Sequence, residues 1–263
     1  MPEISENNFE TNRSSYYHTV TDDATESEQH IASVELPEGF DFINLKINKG
    51  TINIYGTDKI ETPHLTVQTI LKKDQITNGD PIIKNKGGHL LSIKDQNVGD
   101  NPPPVNITLG LPRNYPFAGK INLLEGHIYT SNVQLQEVIM DTDQKETNIR
   151  ITKCAGNIGI ENHSKGKISL VDYLGSFSIY THGDVTSLGT NFKRESKLIA
   201  KGNILLGFVN TDILIEEYNP DSNKVKIEGT LQTIDEPDQT MRTHFRGYPL
   251  ASVTITNPPK EKE

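Results

Sequence analysis

The chain has no tryptophan and one cysteine in 263 residues. A single cysteine excludes an intramolecular disulfide framework. Cys154 stands in IRITKCAGNI and reads as a small buried apolar residue. A nucleophilic thiolate wants a neighbouring His or cation, and only Lys153 is near. Long apolar runs are missing too. None approaches the roughly 20 residues of a membrane-spanning helix, and Pro2 to Thr19 has no apolar core of a secretory signal. The expected location is therefore the cytoplasm. Basic charge is scarce: 26 Lys and Arg face 35 Asp and Glu, a net charge of −9. With no basic patch to neutralise phosphates, neither nucleic acid nor an anionic membrane is an expected partner.

Chemical signatures are equally sparse. There is no Gly-x-Ser-x-Gly, no P-loop and no dinucleotide fingerprint. The eight histidines show no His-Glu-x-x-His spacing, so zinc is not expected. Asp141-Thr142-Asp143-Gln144-Lys145-Glu146 opens like a calcium loop but carries Glu146 where the sixth position needs Gly. The acidic turn Glu216 to Asp221 reads as solvated. His127 and His182 each neighbour a glycine and read as surface residues that could line one face. Asn-x-Ser/Thr sequons at Asn12, Asn106 and Asn162 read as chance matches without a secretory signal. No catalytic residue, cofactor or metal is assigned.

What the chain does have is a repeat. Between Gly156 and Val185, Gly-x-apolar recurs at Gly156/Ile158, Gly166/Ile168, Gly175/Phe177 and Gly183/Val185. Within each unit apolar residues stand two apart, as in Ile158/Ile160 and Phe177/Ile179, which is strand alternation. The units are too short for helices, and each glycine can turn the chain before its strand. The connectors are polar corners rather than Asn-Gly or Asp-Gly hairpin turns; Asn78-Gly79 is the one such pair and lies outside the repeat. Two units make a coil of roughly 18–20 residues, which favours stacked β-solenoid coils over a sandwich or barrel.

The same unit recurs at Gly50 to Tyr55 and Gly202 to Leu206. Residues 1–30, with seven acidic side chains and one Arg, read as a disordered acidic tail in which Tyr16-Tyr17 is an aromatic island. A β-solenoid domain is expected over 31–257, interrupted near 72–104 and 234–250, before a tail at 258–263. The first interruption holds Pro102-Pro103-Pro104 and a strand at Leu90 to Ile93, and a local hairpin there would suit Asn78-Gly79.

The entry strand INLKINKGTINIYGTDKIETPHLTVQT, the segment VNITLGLPRN and the late unit AKGNILLGF together resemble the putative-adhesin β-helix family. The matching elements are Gly50 to Tyr55, Ile107 to Pro112 and Gly202 to Leu206, and the likeness covers about residues 36–230. The resemblance implies an all-β, single-stranded, right-handed parallel β-helix with no established catalytic residues. The function it suggests is an adhesin-like, non-catalytic solenoid presenting an extended surface to a protein or glycan partner, of oligomeric state unknown. The alternative is a carbohydrate-active β-helix lyase or glycosidase. Its carboxylates would be Asp172, beside Tyr173, and Asp184, beside His182, about half a coil apart on adjacent rungs, with Lys193 or Arg194 as the basic residue a lyase needs near a cation site. A structural oligomer of packed coils is a third reading.

Overall fold

The computed structural model describes residues 17–22, 27–37, 39–72, 77–86, 89–142, 145–189, 191–192 and 196–200, and the five later strands named below. Every regular element among them is a β-strand, and all join one open sheet. The first are β1 (Tyr17–Asp22), β2 (Ser27–Glu35), β3 (Phe42–Thr57), β4 (His64–Lys72), β5 (Ile82–Lys86), β6 (Leu90–Lys94), β7 (Val105–Pro112) and β8 (Pro116–Ser131).

The 16-residue β3 shows how sequence sets the shape. Ile43, Leu45 and Ile47 are buried, then Ile52 and Ile54. The switch from odd to even positions means that the strand bends between its halves, so that both halves face one core. β8 does the same, burying Phe117, Ile121 and Leu123, then Ile128. At the bends sit Gly50 (φ 144°) and Gly126 (φ 135°), and a Cβ on Gly126 would lie 1.9 Å from the Gly50 carbonyl oxygen.

Next come β9 (Gln134–Thr142), β10 (Thr147–Thr152), β11 (Ala155–Asn162), β12 (Ile168–Val171), β13 (Leu174–Thr181), β14 (Val185–Leu188), β15 (Asn191–Phe192), β16 (Ser196–Ala200) and β17 (Ile204–Gly207). They build two parallel ladders. On the first half of β8 stack β9, β11, β13 and β16. On its second half stack β10, β12, β14 and β17. In the second ladder Ile128 pairs with Ile149, then Ile168, Val185 and Ile204, at steps of 21, 19, 17 and 19 residues. In the first, Ile121, Met140, Ile160, Ile179 and Leu198 pair in turn and are all buried. Each such column is a stripe of apolar side chains, and burying one of them fully contributes about 1.5–3 kcal/mol.

Two corners join the ladders. One carries Asn132, Lys153 and Asp172 in the left-handed region (φ 55°, 52° and 51°), each followed by a buried residue, Val133, Cys154 or Tyr173. The other carries Gly166 and Gly183, so close-packed that a Cβ on Gly183 would lie 1.9 Å from the Gly166 oxygen.

The ends depart from the expected uniform stack. β4 is antiparallel to β7, β2 to β4, and β1 to β2, while β5 and β6 form an antiparallel hairpin. Antiparallel strands here cover what would otherwise be an open parallel edge. Of the segment read as a tail through residue 30, Tyr17–Asp22 and the start of β2 are strand. His-Thr-Val-Thr in β1 is β-prone and pairs with β2, whose Ala32 is buried. Residues 1–16 lie outside the described residues. The expected hairpin in the first interruption exists, but Asn78-Gly79 is not its turn; Asn97 binds that turn through its side chain instead. In the second interruption Thr243–Gly247 is a strand.

The order of the terminal strands also differs from chain order. β3 lies between β8 and the outer strands β6 and β7. At the far end come β18 (Ile213–Glu216), β19 (Val225–Glu228), β20 (Thr243–Gly247) and β21 (Val253–Thr256). There β20 lies between β16 and β18, and β21 between β17 and β19.

Candidate binding surface

Strand alternation that buries one set of side chains aims the other set outward. In the first ladder the outward positions Asn122, Asp141, Glu161 and Tyr180 are register partners on β8, β9, β11 and β13. Adjacent members are about 4.8 Å apart along the hydrogen-bond direction. Just beyond the strand ends, His163 and His182 continue two of these rungs; their amides donate to Thr142 O (3.1 Å) and Asn162 O (3.0 Å). The His163 ring lies 5.6 Å from both Tyr180 and His182, and Tyr180 lies 5.5 Å from His182. The Tyr180 hydroxyl is 3.1 Å from His182 Nε2, and His163 Nε2 is 2.9 Å from Glu161 Oε1. The side chains of Glu161 and His163 are 60% and 39% exposed.

A buried polar knot fixes this corner from beneath. Thr142 Oγ1 (2.7 Å), Ser164 N (3.0 Å) and Ser164 Oγ (2.7 Å) all donate to Asn162 Oδ1. Asn162 Nδ2 donates to Gly166 O, while Ser164 Oγ accepts from Gly166 N and Thr147 N. Thr142, Asn162 and Ser164 are fully enclosed, so the sequon asparagine has no route to solvent. A satisfied buried network of this kind rigidifies what stands on it.

The pair considered for catalysis is not brought together. Asp172 occupies the left-handed corner and Asp184 the glycine corner, with the eight residues of β13 between them. An extended strand of that length spans about 26 Å, far beyond the spacing of two carboxyls across one glycosidic bond. Tyr173 is buried, its hydroxyl 2.6 Å from Gly156 O, and burial pushes its phenol well up. Lys193, Arg194, Glu217 to Asp221 and Tyr16 lie outside the described residues. Cys154 is buried, and desolvation pushes its thiol up to about 11. Such a thiol is a poor nucleophile.

Of the calcium-like segment, Asp141 belongs to the outward column, while Lys145 pairs with Glu125 (3.3 Å). Glu125 also meets Lys49 at 3.0 Å, and the hydrogen bond from Lys49 chiefly holds its carboxyl below the usual range. Among the described residues no three of His, Cys, Asp and Glu are grouped to hold a metal ion. His127 stacks on Tyr129 (5.7 Å) at the start of the second ladder, just past the same bend. The column Asp141–Glu161–Tyr180 escaped the sequence reading. Its signal was available as offsets of 20 and 19 residues, the length of one expected coil.

No family model and no curated protein matches the chain. Among solved structures, a putative adhesin from Bacteroides fragilis is similar at 12% identity, over 88% of this chain and 97% of that one, with a TM-score of 0.40. A putative lipid binding protein from Parabacteroides distasonis is similar at 13% identity, over 87% and 94%, with a TM-score of 0.39. A putative cell adhesion protein from Clostridium sporogenes is similar at 14% identity, over 88% and 100%, with a TM-score of 0.33. These likenesses are distant in sequence and loose in superposition, and no activity is carried across from them.

Proposed function

We propose that the chain is a non-catalytic β-solenoid, a right-handed parallel β-helix that offers its outer ladder faces as a binding surface for a protein or glycan. Two parallel ladders advancing about one coil at a time support the solenoid, and crossovers between parallel strands are nearly always right-handed. The observation that carries the binding reading is the cluster of Glu161, His163, Tyr180 and His182. Polar and aromatic groups from neighbouring rungs converge there on a rigid base. Solvent-facing side chains fixed this way are what recognition uses. Asp141 and Glu161 are also adjacent carboxylates, but they stand on a strand face rather than in a cleft. Reacting groups work best in a water-excluded site, and Glu161 is 60% exposed.

The test is to probe glycan and protein microarrays with the full chain and with the triple variant Glu161→Ala, His163→Ala, Tyr180→Ala. Wild type should retain a defined class of spot that the variant loses, with both proteins melting alike. Equal retention by the two would remove this face from the function.

A further inference from the structure

We infer that the Asp141–Glu161–Tyr180 column with His163 and His182 is a subsite for an uncharged saccharide. This rests on the binding-surface reading above and narrows it to a ligand class. The donor and acceptor inventory sets the class. Asp141 and Glu161 present only acceptors, one rung apart, and hydroxyl groups are the natural donors to them. The Tyr180 hydroxyl and the two imidazoles can donate or accept, which suits the dual character of a sugar hydroxyl.

The rings add an apolar contact. Tyr180 is half-buried with two imidazoles around it, so its ring is held in place and pays little ordering entropy on binding. Beside it, the outward position on β11 is Gly159, where an added Cβ would meet nothing nearer than Ile139 Cγ1 at 3.8 Å. Its partner on β13 is Ser178. The floor next to the rings is therefore low, and a flat ring can lie along the ladder against Tyr180. The half-exposed Ile139, in register with Gly159, bounds that floor on the next rung.

Charge selects among saccharides. Two carboxylates at the centre of the column repel sulfate and carboxylate groups, so an anionic glycan is disfavoured. Lys165 and Lys167 lie at the corner beyond His163, while the positions of Lys120, in register with Ile139, and Lys197, in register with Ser178, end the Gly159 row rather than the carboxylate row.

The experiment is isothermal titration calorimetry on the full chain with four probes: cellotetraose, chitotetraose, a heparin-derived tetrasaccharide and an oligolysine peptide. At least one uncharged tetrasaccharide should bind saturably. Tyr180→Ala, and separately Asp141→Asn with Glu161→Gln, should each weaken it about tenfold, the loss of one good contact. Tyr129→Ala on the other ladder should leave it unchanged. The amide substitutions are near-isosteric and outward, so a melting curve matching wild type guards against misfolding. Binding of heparin or oligolysine alone, of none of the four, or with no response to the variants, overturns the inference. If the microarrays still lose a protein ligand in the triple variant, the broader reading survives while the saccharide class fails.

Discussion

At the residue scale, a histidine held between two carboxylates lies at the N-terminal end. His30 on β2 has Nδ1 2.7 Å from Asp80 Oδ1 and Nε2 2.7 Å from Glu28 Oε1. A neutral imidazole has one N–H, so two carboxylate partners call for the imidazolium. Burial is the largest single influence and lowers the His30 pKa. The hydrogen bonds and charges of Glu28 and Asp80 together outweigh it, so that the pKa is raised. On the neighbouring strands His30 faces Thr69 and Thr19, neither of which ionises. Asp80 belongs to the segment held by Gln96 and Asn97, just past the end of β6, so His30 fastens that segment to the cap. With the folded pKa above the unfolded value near 6.5, the stabilisation is complete below about pH 6.5 and is lost as pH rises through the raised value. His30→Asn should therefore cost about 1 kcal/mol near pH 6, modest because the cluster is partly wet, and less near pH 9. Urea midpoints of both proteins at the two pH values measure this. A cost that does not shrink at the higher pH would contradict the charged clamp.

At the scale of the element, the corner glycines separate two uses of one residue. Gly175 has φ 151°, and a Cβ there would lie 1.9 Å from the Gly156 oxygen, backbone that cannot swing aside. At Gly159, mid-strand, an added Cβ would make only ordinary contact, with Ile139 Cγ1 at 3.8 Å. Gly175→Ala should cost about 3 kcal/mol through displaced backbone and strain. Gly159→Ala should be neutral or stabilise by about 0.5 kcal/mol, because it lowers the entropy of the unfolded chain. Equal losses in urea denaturation would show that the corners are not tightly stacked. The contrast also explains what could be read in advance. Gly156/Ile158 and Gly175/Phe177 announce corner and strand locally, because a sharp turn and alternation leave marks on neighbouring residues. The outward column does not, because Asp141 meets Glu161 only through a register that shifts between Gly156 and Ile158. Asp172 and Asp184 stand about half a coil apart in sequence, and the strand between them holds them at opposite corners. The left-handed Lys153 left no signal at all, since lysine has no preference for that conformation.

At the scale of the molecule, the consequential fact is that strands near both ends are laid down out of order. In a stack where each rung touches only its neighbours, stability falls toward the ends. If chain order set position, β3 would be an outer rung and would open first. Instead β3 has β6 and β7 on one side and β8 on the other, with Ile43, Leu45, Ile47, Ile52 and Ile54 all enclosed. Amides exchange at the free energy of the smallest opening that frees them, so β3 can be released only after the outer strands leave. Native-state hydrogen exchange should then show β3 protected as well as β11 and β13. The later strands β5 and β6, backed on one side only by a hairpin, should exchange faster. The reverse order, with β3 exchanging before β6, would mean that β3 sits at an outer edge, and the interleaving would be wrong. If the order holds, the column proposed to bind belongs to the most protected part of the stack. Asn122, Asp141, Glu161 and Tyr180 all stand on strands with parallel partners on both sides. Local opening would then contribute nothing to recognition, and the surface would meet its ligand already in its final shape.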